Sequence, residues 1–371
     1  VQTATYTFSD SADLRDYMHN KVWGEGKSGR EEYGRYGNPS IVAVEKRLAA
    51  LEGGDDALLF ASGMAAITTL LLASLPSGTH IILTDDCYRR TRQFCLTYLK
   101  RLGISTTIVP MGDYDALEKA IIPKQTRFIV SESPTNPYLR LVDFERVAEI
   151  ANRHRVRTMI DSTFGTPINQ QPLAAGIDYV VHSATKYLGG HHDLLAGVII
   201  GRKDRIAALR EAQGVMGAVV APHTAYLLER SLKSLSLRVK QQNQNSLSLA
   251  QYLESHPKIE QVWYPGLPSH PDHQLAKQQM RGFGGVVSFQ LKGDGNVTAQ
   301  FIDALKIPYI APSLGGAESL IEQPAIMSYY EMEPEDRAKL GIYDNLVRFA
   351  AGIEDTADLL VDFEQALAQI G

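Results

Sequence analysis

Tyr179-Val180-Val181-His182-Ser183-Ala184-Thr185-Lys186-Tyr187-Leu188-Gly189-Gly190 is the stretch on which the reading of this chain turns. Its apolar beginning predicts a short buried strand, and a cluster of small hydroxyl residues, a lysine and two glycines ends it. A lysine in that position stands at the edge of a sheet, among hydroxyls that can bind an anion. A pocket there lowers an amine's pKa, as Schiff-base chemistry requires. Alone, the pattern also fits a solvated lysine after a strand.

Outward from it, short apolar runs at 57–60, 80–83, 107–109, 128–130, 156–160, 179–181 and 198–200 alternate with helical spacing at 64–75, 89–102, 114–121 and 144–154. This alternation predicts an α/β fold with a mostly parallel sheet covered on both faces. Such sheets bind ligands at the carboxyl ends of their strands. Asp161 follows the run 156–160, and Ser62-Gly63-Met64-Ala65 lies between a run and a helix. Free N–H groups at a helix start, with a glycine allowing close approach, make an anion site. A carboxylate at a strand end can keep a pyridine nitrogen protonated, which pyridoxal phosphate needs as an electron sink. Each signal also has an ordinary reading, as a turn or a cap. Phosphate cradle, aspartate and lysine, each at the carboxyl end of a strand, form a set that chance explains poorly.

The flanks differ. The first forty residues are polar and aromatic without a clear period, and read as an extended arm leaning on something else; a helix follows at 42–51. Beyond about residue 220 come a long helical run, 224–253, a strand at 259–263, and a Pro-, Gly- and His-rich loop. Segments 284–291, 346–350 and a last helix at 356–370 complete a smaller α+β region. The expected division is an arm over 1–50, a large cofactor domain over 51–245 and a C-terminal domain over 246–371.

Bulk properties narrow the field. The 371 residues are 44% hydrophobic and 21% charged, ordinary for a globular chain. A net charge of -5 without a basic run carries no nucleic-acid footprint. The longest apolar stretch, 67–75, is too short for a membrane span. No charged-then-apolar leader stands at Val1, and a start at valine leaves a trimmed leader open. Cys87 and Cys95 read as two small buried hydrophobes on one helical segment. They form no disulfide framework and have no metal-ligand spacing, so no metal is expected and a reducing, cytoplasmic compartment is.

Longer motifs sharpen this. They are Tyr33-Gly34-Arg35-Tyr36-Gly37-Asn38-Pro39, Ala61-Ser62-Gly63-Met64, Glu132-Ser133-Pro134-Thr135-Asn136-Pro137, Asp161-Ser162-Thr163-Phe164, Ser183 to His191, Tyr264 to Pro271, Ser313 to Ser319, and Asn345-Leu346-Val347-Arg348. In kind and order they resemble the cysteine/methionine-metabolism family of fold-type-I pyridoxal-phosphate (PLP) enzymes over nearly the whole chain. Asp86 to Arg92, Gly282 to Phe289 and Lys306 to Pro312 are similar to the plant-type cystathionine γ-synthases within it.

The resemblance implies roles residue by residue. Lys186 holds PLP as a Schiff base and shuttles protons, Asp161 pairs with the ring nitrogen, and Tyr88 stacks on the ring. Ser62, Gly63, Met64, Ser183 and Thr185 hold the phosphate. Thr163 and Asn136 stand near the cofactor, Asn136 by its phenolic oxygen. Tyr33 and Arg35 reach the phosphate of a neighbouring subunit, so a homo-oligomer is implied, a tetramer with active sites shared across dimers. Arg348 grips the substrate's α-carboxylate, a task suited to a guanidinium fork, and Glu318 and Ser319 stand at the substrate entrance. Ala350 and Ala351 replace larger or hydroxylated residues of the family pattern and bear on pocket shape. Ser231 also departs from that pattern.

The implied substrates are small amino acids. The implied reaction is γ-replacement on an O-activated homoserine by cysteine, giving cystathionine. Arg89 and Arg90 beside Tyr88 would receive an anionic leaving group, or would simply form a solvated helix face. The alternative is a γ-lyase that eliminates from another γ-substituted amino acid.

Overall fold

A computed structural model describes residues 1–24 and 30–370; residues 25–29, within the expected arm, lie outside the described residues. Seven strands form the larger sheet: β1 (Asp56–Phe60), β2 (His80–Thr84), β3 (Ser105–Val109), β4 (Thr126–Glu132), β5 (Arg157–Asp161), β6 (Tyr179–His182) and β7 (Gly197–Gly201). Their order is β1-β7-β6-β5-β4-β2-β3, and β7 alone runs against its neighbours. Every residue of β2, β6 and β7 is buried, as expected of strands covered on both faces.

The covering helices form where the sequence caps them. Asp143 accepts the Arg146 N–H at 3.0 Å and starts a helix at Phe144–His154. That helix buries Phe144, Val147, Ala148, Ile150 and Ala151 as one stripe against the sheet.

A second sheet of β8 (Ile259–Trp263), β9 (Val286–Leu291), β10 (Tyr309–Ile310), β11 (Leu320–Glu322) and β12 (Leu346–Ala350) is ordered β10-β11-β12-β9-β8. It is antiparallel except for the β10–β11 pair. Phe289, Phe301, Phe349 and Phe363 close its core, with Phe363 centred 5.1 Å from Phe349 and 5.7 Å from Phe301.

Several expectations are corrected. The arm is not wholly extended: α1 (Ser11–Trp23) is a helix, capped by Asp10 accepting the N–H of Ala12 and Asp13. Of its residues only Tyr17 is buried, so no apolar stripe of it packs on its own chain's core. Leu14, Met18 and Val22, four apart, stay exposed on it. The run 224–253 is two helices, Pro222–Leu232 and Leu235–Ser255. At the break the Ser234 side chain bonds the Ser231 carbonyl at 3.2 Å. Apart from these corrections, the expected boundaries at 50/51 and 245/246 lie within the helices Pro39–Glu52 and Leu235–Ser255. Cys87 lies in the loop before the helix Arg89–Gln93 and is half-buried, because the helix starts only after Tyr88; Cys95 is buried.

Phe363→Ala would remove the ring on which three others converge. It is expected to cost about 3–5 kcal/mol, read as a fall in the urea midpoint with an unchanged slope.

Candidate active site

Parallel strands end on one edge, and the loops leaving β1, β2, β4, β5 and β6 meet there around a cavity of about 360 Å³. At one end Ser62 caps the helix α2 (Gly63–Ser74), its Oγ accepting the Ala65 N–H at 3.1 Å. A Cβ on Gly63 would lie 2.9 Å from the Ser183 Cβ, so glycine lets the helix start and the turn after β6 close on one another. Gly63, Met64, Ser183 and Thr185 all line the cavity here. The Ser183 N–H donates to Thr163 Oγ1 at 2.8 Å, and Thr185 Oγ1 exchanges hydrogen bonds with Ala196. Helix N–H groups and hydroxyls around a glycine-sized gap suit a phosphate.

Asp161 ends β5 and faces the cavity, its Oδ1 accepting the Thr163 N–H at 3.1 Å and the Thr163 hydroxyl at 2.5 Å. Glu132 ends β4 and pairs with Asp161 in register. Burial raises the pKa of both carboxyls; the Asp161 charge adds to the effect on Glu132, and the Thr163 bonds counter it on Asp161.

Lys186 donates from Nζ to Ser313 Oγ at 2.6 Å. Burial and then the Arg348 charge lower its pKa to about 8. Ser313 holds a left-handed backbone, φ 95°, that only its surroundings can sustain in a non-glycine residue.

Arg348, on β12, reaches the same cavity from the second sheet. Its guanidinium donates to Asn136 Oδ1 at 3.1 Å and the Ser313 carbonyl at 2.9 Å, and pairs with Glu322 Oε1 at 3.0 Å. Its buried Nε has no partner, a donor left for an incoming carboxylate.

Tyr88 stands at the mouth, 43% exposed. A recess of about 160 Å³ opens beyond it, lined by Arg89 and Arg90 together with Tyr88, Asn136 and Glu322 of the main cavity. The Arg89 guanidinium lies 5.9 Å from the Tyr329 ring centre, and Arg90 donates to Gln93 at 2.8 Å.

Three expected groups lie outside the lining of this cavity. Tyr33 and Arg35 do not line their own chain's cavity; the Arg35 guanidinium bonds the Gly214 carbonyl and lies 4.7 Å from the Tyr36 ring centre. Ser319 is buried outside the cavity lining, where Glu354 accepts its N–H at 2.6 Å and its hydroxyl at 2.8 Å. Glu318 is exposed outside the cavity lining.

Sequence reasoning missed Ser313, Glu322 and Arg238. Arg238 is buried and donates to the Tyr187 carbonyl at 2.8 Å and the Ser231 carbonyl at 3.0 Å, supporting the lysine turn from behind. A Cβ on Gly190 would strike its guanidinium, so that glycine was the available signal.

The fold and this site define a fold-type-I PLP enzyme. The chain belongs to the Cys/Met metabolism PLP-dependent enzyme family, whose model matches residues 1–368. It is 50% identical over 370 residues to cystathionine γ-synthase 1, chloroplastic, of Nicotiana tabacum, covering 100% of this chain and 67% of that one. The Arabidopsis thaliana protein of that name is also 50% identical, over 100% of this chain and 65% of its own length. The chain thus spans about two thirds of these relatives. Cystathionine γ-lyase of Bacillus subtilis is 44% identical, covering 91% and 89%. The crystal structure of metB from Corynebacterium glutamicum superposes with a TM-score of 0.90 at 37% identity, covering 99% and 91%.

The residues present fit PLP: a glycine-gapped N–H and hydroxyl cradle, a buried carboxylate and a depressed lysine. When bound, PLP supplies an aldehyde for an amine and an electron sink for a carbanion. Lys186 would react with such an aldehyde only as the neutral amine, whose fraction rises with pH. Uptake of PLP by the apoenzyme is therefore expected to accelerate with pH and level off above about 8, followed by the visible absorbance band. Lys186→Ala would abolish that band.

Proposed function

We propose that the chain joins an O-activated homoserine to cysteine by γ-replacement, producing cystathionine. The observation that carries this reading is the arginine-lined recess that shares Tyr88, Asn136 and Glu322 with the lysine cavity, in a chain half identical to two cystathionine γ-synthases. Arg348 grips the α-carboxylate with the fork whose Nε is unpartnered. Lys186 takes the Cα proton and then serves Cβ, close enough to neutral to act as a base near pH 8. Arg89 and Arg90 receive the anionic group leaving Cγ, and the vacated recess admits the thiol. Lyases among the relatives favour elimination as the second reading. Ala350 and Ala351 lend it no support, since both are buried outside the cavity lining.

The reading includes a homotetramer with shared active sites. Tyr33 and Arg35, remote from their own cavity, and the uncovered stripe Leu14, Met18 and Val22 support it. Light scattering is expected to give four chain masses. It also includes a cytoplasmic compartment, supported by two unpaired cysteines, although the two plant relatives are chloroplastic. Among the described residues no helix is long and apolar enough to cross a membrane.

Product analysis with O-succinyl- and O-phosphohomoserine, each with and without cysteine, tests the reaction. Cystathionine formed only with cysteine is the expected result; 2-oxobutyrate regardless of cysteine would establish the lyase. Arg89→Ala with Arg90→Ala is expected to raise KM for the anionic ester roughly tenfold or more.

A further inference from the structure

We propose that Glu132 and Asp86 form a reciprocal carboxylate clasp that positions Tyr88 over the cofactor cavity and Asn136 against Arg348. Neither carboxylate has a part in the proposed chemistry. Glu132 Oε2, at the end of β4, accepts the Tyr88 backbone N–H at 2.7 Å. Asp86 Oδ2, two residues before Tyr88, accepts the hydroxyl of Thr135, three residues beyond Glu132. The loop after β2 and the turn after β4 each supply one donor and one acceptor to the other.

Tyr88 is 43% exposed, so packing alone does not fix its ring, and its main chain must. Thr135 is fully buried, and its hydroxyl also accepts the Arg140 N–H at 3.0 Å. The turn it anchors carries Asn136, which accepts from Arg348. The clasp thus ties a wall of the cavity to the group that grips the substrate. Glu132 is only 6% exposed and lines the cavity beside Asp161. Burial and that neighbour hold it toward its neutral form, which glutamine reproduces while keeping the acceptor. Both are positioning residues.

The inference rests on the cavity being the PLP site, so PLP titrated into apoenzyme is the readout, with visible circular dichroism of the loaded protein. Glu132→Ala and Asp86→Ala are each expected to weaken PLP binding roughly 3- to 10-fold, the worth of one ring stack, and to reduce the visible ellipticity. Glu132→Gln and Asp86→Asn should stay within about twofold of wild type. In a Tyr88→Ala background, Glu132→Ala should add nothing to the loss. Unchanged PLP affinity and ellipticity in the two alanine variants would overturn the clasp. So would a Glu132→Gln variant as impaired as Glu132→Ala, or a Glu132→Ala effect that persists without Tyr88. Should Glu132→Ala not fold, Asp86→Ala against Asp86→Asn carries the same comparison. A wild-type apoenzyme that takes up no PLP would remove the cofactor reading instead.

Discussion

Parallel pairing makes β2, β4, β5 and β6 end on one edge of the larger sheet, and the site depends on that alignment. Each strand end projects a loop free of the ladder, so Tyr88, Asn136, Asp161 and Lys186 converge although no two are close in the chain. Register does the finer placement. Because Glu132 and Asp161 are paired, their side chains emerge on the same face, and two carboxyls share one buried edge.

That edge is a dry place for charge, and the second sheet makes it so. β12 carries Arg348 and β11 carries Glu322 against the larger sheet's loops, where the two form a buried ion pair. Removing one member of such a pair strands the other, a penalty of about 3–5 kcal/mol. The same enclosure shifts the neighbouring acids and amine in opposite directions, each toward its neutral form. An amine near neutrality beside a fixed cation is suited to moving protons next to a bound carboxylate.

Much of this was legible in the residue order. The alternation of apolar runs with helical spacing marked all seven strands of the larger sheet, since burial on both faces needs continuous apolar segments. Lys186, Asp161 and Ser62-Gly63 were readable because each follows or ends such a run. The α1 helix went unread although Leu14, Met18 and Val22 recur at helical spacing and Asp10 caps it, because the flanking residues are polar and the stripe does not face its own chain's core. The bond that buries Ser319 could not be read, because its partner, Glu354, lies 35 residues on, beyond any local pattern. Glu322 gave no local signal, and Ser313, though it opens a quoted motif, shows its importance only in the lysine it meets.

The sequence by itself determined the strands, the helices and the loop chemistry at their ends, because hydrophobic period, capping and turn preference act over a few residues. Tertiary structure alone decided which of those ends meet. Arg348 and Asn136 are 212 residues apart and Lys186 and Ser313 are 127 apart, yet their hydrogen bonds hold the cavity together. It alone lowered the Lys186 amine to about 8 as well. Desolvation and the field of a neighbouring charge are set by distance in space, and order along the chain does not encode that distance.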